Sequence, residues 1–283
     1  MAWYSTPIVR AAAAGLLALC APALSSAQAA PASSGAPHAK VVTIVIFENR
    51  DFSAIVGAKD APYLNAALVP RAAVMTNSHA TAHPSEPNYV ELFSGNVQGV
   101  TGDECPVTSS APNIATQLLA AHLTFRGFAE ALPNAGFSGC EGSKGLYRRK
   151  HNPWADFTNV PAALNQPYTW APASLAFVVP NMCNDMHDCS TTVGDTWMKQ
   201  HLPAIMQWNA AHDGLLIITW DEAAPDADGT NHIATLLIGP MIKPGRYDQH
   251  IDHDDVLRTV EQIYGLPCIA NACGKTGITG VWR

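Results

Sequence analysis

Four uninterrupted runs of apolar, largely β-branched residues constrain the fold of this chain more than any other feature of its sequence. Runs of this kind are typical of strands that are buried on both faces, as in a parallel sheet. Segments with helical patterns lie between them, and strands that alternate with helices predict a three-layer α/β/α sandwich with a mostly parallel central sheet. The runs are Val41 to Phe47, Leu175 to Val179, Leu215 to Trp220 and Ile233 to Gly239.

Capping residues and a proline define the predicted helices. Asn113 can N-cap the segment IATQLLAAHL, and Asp252 can N-cap the segment HDDVLRTVEQIYG. A third helix is predicted over residues 194–212, and Pro203 should kink or break it. Two stretches rich in Gly, Pro, Asn and aromatic residues should be irregular and rim the functional site. They are residues 97–112 and 134–174.

The first 29 residues have the pattern of a cleaved secretory signal peptide. Arg10 precedes an apolar run of about 14 residues, and Ala27-Gln28-Ala29 fits the A-x-A cleavage pattern. A membrane span needs about 20 residues, so no transmembrane segment is expected after cleavage. An uncleaved anchor or lipidation at Cys20 is the alternative. A linker over residues 30–39 and a single domain over 40–283 should follow, in a secreted or periplasmic protein.

Composition excludes one class of partner. The formal net charge is -7, and only 14% of the residues are charged. Binding to nucleic acid requires clustered Lys and Arg to neutralise phosphates, so no nucleic-acid partner is expected. The hydrophobic fraction of 48% is ample for a sizeable core.

Six cysteines remain when Cys20 is removed with the signal peptide. Export makes disulfides possible, and an even number permits complete pairing. Sequence alone does not choose among the possible pairings. Short loops suggest Cys183–Cys189 and Cys268–Cys273, which leaves Cys105–Cys140. A zinc cluster is the alternative, although no C-x-x-C spacing occurs.

Oxygen-bearing side chains directly follow two of the predicted strands. Glu48 and Asn49 come after the first apolar run, and Asp221 and Glu222 come after LLIITW. Ligand sites in α/β sheets collect at the carboxyl ends of strands, so the two pairs can converge on one cation. Carboxylate and amide oxygens suit Ca²⁺, Mg²⁺ or Mn²⁺. The alternative is that they are solvated acids at strand ends.

Ser85 is a candidate nucleophile because of its constrained surroundings. It lies between Pro84 and Pro87, which restrict the backbone to a turn or an extended form. A turn that leads into a helix would hold the hydroxyl near helical N–H groups, where phosphate binds. A bound cation can activate a serine hydroxyl. The alternative is an ordinary turn serine.

Several histidines are candidates for proton transfer because they lie beside acids or a strand. His187 belongs to NDMHD, His253 belongs to DHDD, and His232 precedes the strand that begins at Ile233. A histidine can protonate a leaving oxygen at mildly acidic pH, but such residues are also common as surface pairs. No role is assigned to His79, His122, His151, His201 and His212.

The segment VVTIVIFENRDFSAIVG resembles the opening signature of the bacterial phosphoesterase family that contains phospholipases C and acid phosphatases. In that family a strand ends in Glu-Asn, followed by an aromatic residue and a small or acidic one. The segments HPSEPNY, NDMHD, TWDE and VLRTVEQIYGLP resemble, in the same order, the SapM-type secreted acid phosphatases. The resemblance covers roughly residues 40–267.

This resemblance implies an alkaline-phosphatase-like α/β/α core with Ser85 as the nucleophile. It implies that the ligands of a divalent cation are Glu48, Asn49, Asp221 and Glu222. It also implies contacts with the phosphate or the leaving group from His83, Asn88, His187, Asp188 and His253. The many Asp and His ligands of a two-zinc alkaline phosphatase are not evident, so one ion of Ca²⁺, Mg²⁺, Mn²⁺ or Zn²⁺ is expected.

The same resemblance implies a secreted acid phosphatase that hydrolyses phosphate monoesters through a phosphoserine. The substrate can be a phosphoinositide or another small phosphoester. A phosphodiesterase of the phospholipase C type is the alternative within the family, but those chains are longer. A non-catalytic secreted binding protein on the same fold is the alternative of another class, and the intact motifs disfavour it.

Overall fold

An eight-stranded sheet forms the centre of the computed structural model, which describes residues 1–4, 37–225 and 229–283. All four apolar runs form strands, as predicted. In chain order the strands are β1 (Val41–Phe47), β2 (Ala73–His79), β3 (Phe125–Ala129), β4 (Asn165–Pro167), β5 (Leu175–Val179), β6 (Gly214–Trp220), β7 (His232–Ile238) and β8 (Gly245–Ile251). Their order across the sheet is β4-β3-β5-β1-β6-β7-β2-β8.

Most strand pairings are parallel, which confirms the predicted sheet type. The exception is β7, which runs antiparallel to both of its neighbours, β6 and β2. Four strands were not predicted, namely β2, β3, β4 and β8. The outermost strand β8 is largely exposed, and β4 has only three residues, so neither contains the apolar run of a doubly buried strand.

Four α-helices accompany the sheet within the described residues. They are α1 (Ser85–Ser94), α2 (Ile114–Ala120), α3 (Thr191–Ala211) and α4 (His253–Tyr264). Asn113 and Asp252 are N-caps, as predicted, because each side chain accepts a hydrogen bond from a backbone N–H in the first turn. The remaining helical segments are single turns of 3₁₀ or π type at Phe52–Ala54, Leu64–Leu68, Val69–Arg71, Ser143–Gly145, Arg149–His151, Pro153–Ala155, Ala162–Leu164 and Ala270–Gly274.

Helix α3 differs from the prediction. It begins earlier than residue 194, and Pro203 lies inside it without breaking it. Proline removes the hydrogen bond to the carbonyl four residues before it, here that of Lys199. Both Pro203 and Lys199 are exposed, so this carbonyl lies on the solvent side, where water can replace the lost donor.

Apolar side chains pack against both faces of the sheet and give the sandwich its three layers. One core cluster combines Val42, Ile44 and Ile46 of β1 with residues of α1, α2 and α4. The other combines Val45 and Phe47 with residues of α3. Successive residues of a strand point to opposite faces, so a continuous apolar run is required when helices cover both faces.

The predicted signal peptide lies almost entirely outside the described residues, as does most of the predicted linker. The described residues from Pro37 onward fall within one compact unit. No helix in the described ranges is long and apolar enough to cross a bilayer.

Three disulfides link the cysteines in the predicted pairs. Cys105–Cys140 joins the two irregular stretches, whereas Cys183–Cys189 and Cys268–Cys273 close short loops. The zinc cluster considered as the alternative is therefore wrong for these six residues. Disulfides suit the oxidising conditions that exported proteins meet.

Burial shifts the pKa values of two acids, Glu86 in the first turn of α1 and Asp156. Burial and the negative charges of Asp156 and Asp103 raise the pKa of Glu86 from 4.5 to about 8. Burial also raises the pKa of Asp156 from 3.8 to about 7, although Arg149 contacts its carboxylate at 2.9 Å. Both side chains are about 1% exposed.

We expect a disulfide that closes a longer loop to contribute more to stability. The sequence separation is 35 for Cys105–Cys140 and 5 for Cys268–Cys273. Loop-closure entropy then predicts that serine pairs lower the free energy of unfolding by about 4 and about 2 kcal/mol, respectively. Urea denaturation of the two double variants measures this, and the opposite ranking would contradict the entropic explanation.

The buried acids should make the fold less stable as pH rises. In the unfolded chain both carboxyl groups have pKa values near 4, whereas in the folded chain the pKa is about 7 for Asp156 and about 8 for Glu86. Between these pH values the folded chain still holds protons that the unfolded chain has released. Stability therefore decreases with pH across this window. Urea denaturation at about pH 5 and about pH 8 measures the slope, and Glu86→Gln should reduce it. An identical slope in the variant would show that Glu86 is not responsible.

Candidate active site

The hydroxyl of Ser85 lies between two buried carboxylates. Ser85 is the first residue of α1 and is about 1% exposed. Its Oγ lies 2.9 Å from Glu48 Oε2 and 3.2 Å from Glu222 Oε1. A hydroxyl held against a carboxylate that can take its proton is placed for activation as a nucleophile.

The amide of Asn88 holds the turn before Ser85. Its Oδ1 accepts hydrogen bonds from the backbone N–H groups of Thr81 and Ala82, and its Nδ2 donates to the carbonyls of Ala82 and Pro84. Asn88 is also buried. Its polar atoms are engaged by the turn, and its expected contact with the phosphate or the leaving group stays a prediction.

The register of two central strands brings the predicted ligands together. Phe47 of β1 pairs with Trp220 of β6, so the residues that follow these strands are neighbours. Glu48, Asp221 and Glu222 each offer a carboxylate oxygen, and these oxygens lie within 4.8 Å of one another. Asn49 donates its backbone N–H to Asp221 Oδ1 at 3.1 Å.

Burial and mutual repulsion determine the charge of these carboxylates. Burial raises the pKa of Glu222 from 4.5 to about 8 and that of Asp221 well above 3.8, and the charge of Glu48 adds to both shifts. Burial also opposes ionisation of Glu48, but His151 outweighs it and lowers the pKa of Glu48 to about 2. All three carboxyl groups can therefore be ionised at once only if a further cation lies beside them.

The donor set fits a divalent cation. Within the described part of the chain, Asp221 Oδ2 and Asn49 Oδ1 are buried and have no hydrogen-bond partner. Buried polar atoms without partners are unfavourable, and a cation would satisfy these oxygens and offset the clustered charge. Glu48, Asp221 and Glu222 thus form a possible metal-binding group, with Asn49 beside them.

His151 is a functional candidate that the sequence did not reveal. This buried ring lies 2.9 Å from Glu48 through Nε2 and 3.2 Å from Asp185 through Nδ1, and Tyr89 stacks on it. Burial lowers the pKa of His151, but Glu48 and Asp185 outweigh burial and raise it from 6.5 to about 9. Both ring nitrogens lie against carboxylates, and His151 is also one of three residues, with Glu48 and His187, whose ligand atoms lie close enough together to hold a metal ion.

Lys150 is a second cation that the sequence analysis missed. Its Nζ lies 2.7 Å from Asp103 Oδ2 and 3.3 Å from His187 Nε2. Burial lowers its pKa, but Asp103 and Glu48 outweigh burial and raise the pKa above its usual 10.5. The basic run Arg148-Arg149-Lys150-His151 in an acidic chain was the signal that could have identified this segment.

His187 and Asp188 lie next to each other at the rim, as their sequence suggested. His187 Nδ1 lies 2.8 Å from Asp188 Oδ1. An ammonium group only donates, so His187 Nε2 accepts from Lys150 and the ring proton is on Nδ1. Ligand atoms of His187, Glu48 and His151 lie within 4.8 Å of one another, so His187 reaches the site.

His83 and His253 differ in their access to the site. Half-exposed His83 contacts Glu222 Oε2 through Nδ1 at 2.5 Å. His253 is buried, and its Nε2 lies 2.7 Å from the backbone carbonyl of Asp221. His253 therefore supports the end of β6, and its expected contact with the substrate stays a prediction.

The start of α1 offers fewer free N–H groups than expected. Pro87 has no N–H, and the N–H of Glu86 donates to Asp103 Oδ1 at 3.1 Å. The start of α1 therefore has fewer backbone N–H groups available for phosphate, and phosphate binding there stays a prediction. Lys150 and His151 provide positive charge near Ser85 instead.

Solved structures share this fold. The lipoteichoic acid synthase LtaP from Listeria monocytogenes aligns with a TM-score of 0.59 at 12% identity, covering 85% of this chain and 75% of that chain. A protein of the alkaline phosphatase superfamily from Vibrio parahaemolyticus aligns with a TM-score of 0.53 at 14% identity, covering 85% and 72%. These similarities confirm the expected alkaline-phosphatase-like α/β sandwich.

Sequence relatives identify the family. Phosphatidylinositol-3-phosphatase of Mycobacterium tuberculosis is 44% identical over 89% of this chain and 85% of its own length. An acid phosphatase of Aspergillus fumigatus is 29% identical over 73% of this chain and 52% of its own length. Both are phosphatases by name, in agreement with the expected class, a phosphoric monoester hydrolase. The pattern that defines the Phosphoesterase family matches residues 58–267, which include Ser85, Asp221 and Glu222. This chain therefore belongs to the Phosphoesterase family.

Proposed function

We propose that this protein is a secreted acid phosphatase that hydrolyses phosphate monoesters with Ser85 as its nucleophile. The observation that carries the proposal is the position of the Ser85 hydroxyl, within 3.2 Å of both Glu48 and Glu222. The three disulfides support an oxidising compartment. The complete set of site residues disfavours a non-catalytic binding protein.

The proposed reaction begins with attack of Ser85 Oγ on phosphorus. A bond forms between Oγ and phosphorus while the bond from phosphorus to the leaving alcohol breaks, and the serine proton passes to a contacting carboxylate. Water then attacks the phosphoserine and gives its proton to the base that remains after protonation of the alcohol, the bond from phosphorus to Oγ breaks, the carboxylate returns its proton to Oγ, and phosphate leaves. Lys150 and His151 face the negative charge of the phosphoryl oxygens, which accounts for a large share of catalysis in phosphoryl transfer.

His83 is proposed as the acid that protonates the leaving alcohol. It contacts Glu222, which lies beside Ser85, and its half-exposed ring can exchange protons with solvent. His187 is a poorer choice because its Nε2 accepts from Lys150 and its Nδ1 proton is directed to Asp188. We assign His187 and Asp188 to the rim that contacts the substrate.

Glu48, Asn49, Asp221 and Glu222 are proposed to hold one divalent cation of Ca²⁺, Mg²⁺, Mn²⁺ or Zn²⁺. Such an ion would lower the pKa of the serine hydroxyl and offset charge on the phosphoryl group. Oxygen ligands favour Mg²⁺, Ca²⁺ or Mn²⁺ over Zn²⁺.

The substrate is proposed to be a small phosphomonoester, with phosphoinositides first among the candidates. The relative that is 44% identical is named for phosphatidylinositol 3-phosphate, and the alignment covers most of both chains. The phosphatase names of the relatives favour a monoesterase over a phosphodiesterase of the phospholipase C type.

Ser85→Ala tests the nucleophile. The substitution removes the attacking atom but little volume, so the fold should survive while turnover of an aryl phosphate falls about a thousandfold or more. Steady-state kinetics and the melting temperature measure the two effects. The matched control is Ser143→Ala, because Ser143 is an exposed serine in an irregular stretch. A folded Ser85→Ala enzyme within about tenfold of wild type would refute the mechanism.

Asp221→Asn tests the cation site. The variant loses one of three clustered carboxylates, so bound metal and turnover should fall together by at least about tenfold, more than the loss of a supporting hydrogen bond causes. Elemental analysis after dialysis measures the metal independently of activity. The matched control is Asp213→Asn, an exposed aspartate paired with Lys40. Full metal occupancy with normal turnover in Asp221→Asn would exclude Asp221 as a ligand.

A further inference from the structure

A pocket of about 420 Å³ opens at the end of the sheet that is opposite to Ser85. Ile238, the last residue of β7, lines this pocket and pairs with Leu216 near the start of β6. Glu222, which contacts Ser85, follows the other end of β6. A strand rises about 3.3 Å per residue, so the pocket lies roughly 20 Å from the nucleophile. An occupant of this pocket therefore does not contact the reacting phosphate.

Apolar side chains make up most of the pocket wall. They come from the single helical turn at Leu64–Leu68, from the second half of α3 and from the end of β7 with the residues that follow it. They belong to Ala67, Pro203, Met206, Ala210, Ile238 and Pro240. The volume lies within the range of about 300–1,000 Å³ that is typical of small-molecule sites, which are also mostly apolar.

Four polar side chains complete the lining, and none of them makes a side-chain hydrogen bond to another described residue. They are Tyr63, Arg71, Gln207 and Asn209. Asn209 is the most informative, because it is only 2% exposed and both polar atoms of its amide are buried without a partner. A buried amide without partners is unfavourable, and a ligand that offers a polar atom would satisfy it.

The charge of the pocket is positive. Arg71 is exposed and, among the described residues, forms no ion pair. Its guanidinium lies near Tyr63, because burial raises the pKa of that phenol and the charge of Arg71 partly opposes the shift. In the part of the chain that the structure describes, no Asp or Glu lines the pocket. The buried carboxylate of Asp195 is already engaged by the N–H groups of Tyr63 and Leu64, at 2.9 and 2.8 Å.

We propose that this pocket binds a small organic anion whose acid group is attached to an apolar body, such as an aromatic or aliphatic acid. Arg71 pairs with the acid group, since a guanidinium forms strong charge-assisted hydrogen bonds with such anions. The apolar wall covers the body of the ligand, and Asn209 bonds a polar atom beside it. The inference goes beyond the proposed phosphatase function, because within the described ranges the pocket contains none of the residues assigned to the reaction.

Other ligands match this lining less well. An inorganic anion would pair with Arg71 but leave the apolar wall in contact with water. A neutral apolar molecule would cover Arg71 without replacing the hydrogen bonds that the guanidinium makes with water, which is unfavourable. A cationic ligand would be repelled by Arg71. An acid with an apolar body is the class that satisfies the charge and the wall together.

The experiment titrates the full-length protein with two fluorescent probes, 8-anilinonaphthalene-1-sulfonate and N-phenyl-1-naphthylamine. The probes share one apolar body and differ in the sulfonate group. We expect the sulfonate to bind about tenfold more tightly than the neutral amine. Arg71→Gln should bring the two affinities close together. Arg126→Gln is the matched control and should keep the preference, because Arg126 is exposed on β3 and does not line the pocket.

A second variant shows that the probes bind in this pocket. Ala210 lines it and is exposed near the end of α3, so Ala210→Trp should fill the pocket while the melting temperature changes little. Both probes should then bind at least about tenfold more weakly. Absence of binding by both probes, equal affinities in the parent protein, a full preference retained by Arg71→Gln, or undiminished binding to Ala210→Trp would each overturn the assignment. The titration needs no turnover, so its outcome is independent of the proposed phosphatase activity.

Discussion

The buried contact between Glu48 and His151 is the interaction on which the rest of the site depends. A carboxylate taken out of water is unstable unless a cation compensates for the lost hydration. His151 provides that cation, and Asp185 holds the ring from its other side. With its charge stabilised in this way, Glu48 can contact Ser85 and raise the pKa values of Asp221 and Glu222.

The sheet determines where these charges meet. Because β1 and β6 are adjacent and parallel, their carboxyl ends place Glu48 beside Asp221 without any long loop. Strand β2 lies farther along the sheet, and the turn held by Asn88 brings Ser85 back to the same position. The proposed ligands on rigid strand ends and the proposed nucleophile on a braced turn give a site that needs little rearrangement.

The formal net charge of this chain is -7, so its overall charge repels a phosphate group. The structure offsets this repulsion locally, because the irregular stretch before β4 brings Lys150 and His151 to the edge of the carboxylate cluster. Each of these cations is paired with a carboxylate, which keeps it charged and oriented. The same alternation of charge continues along this stretch, where Arg148 pairs with Glu141.

The sequence by itself determined the α/β class, the helix caps and the convergence of Glu48 with Asp221, because apolar period, capping chemistry and strand-end position are local properties. It only suggested the cysteine pairs, which the structure then decided. It did not reveal the edge strands, which lack apolar runs. Only the tertiary structure decided that His151 and Lys150 enter the site and that Asn88 and His253 support it from behind. These roles depend on which loops meet in space, and no local pattern in an irregular segment specifies that contact.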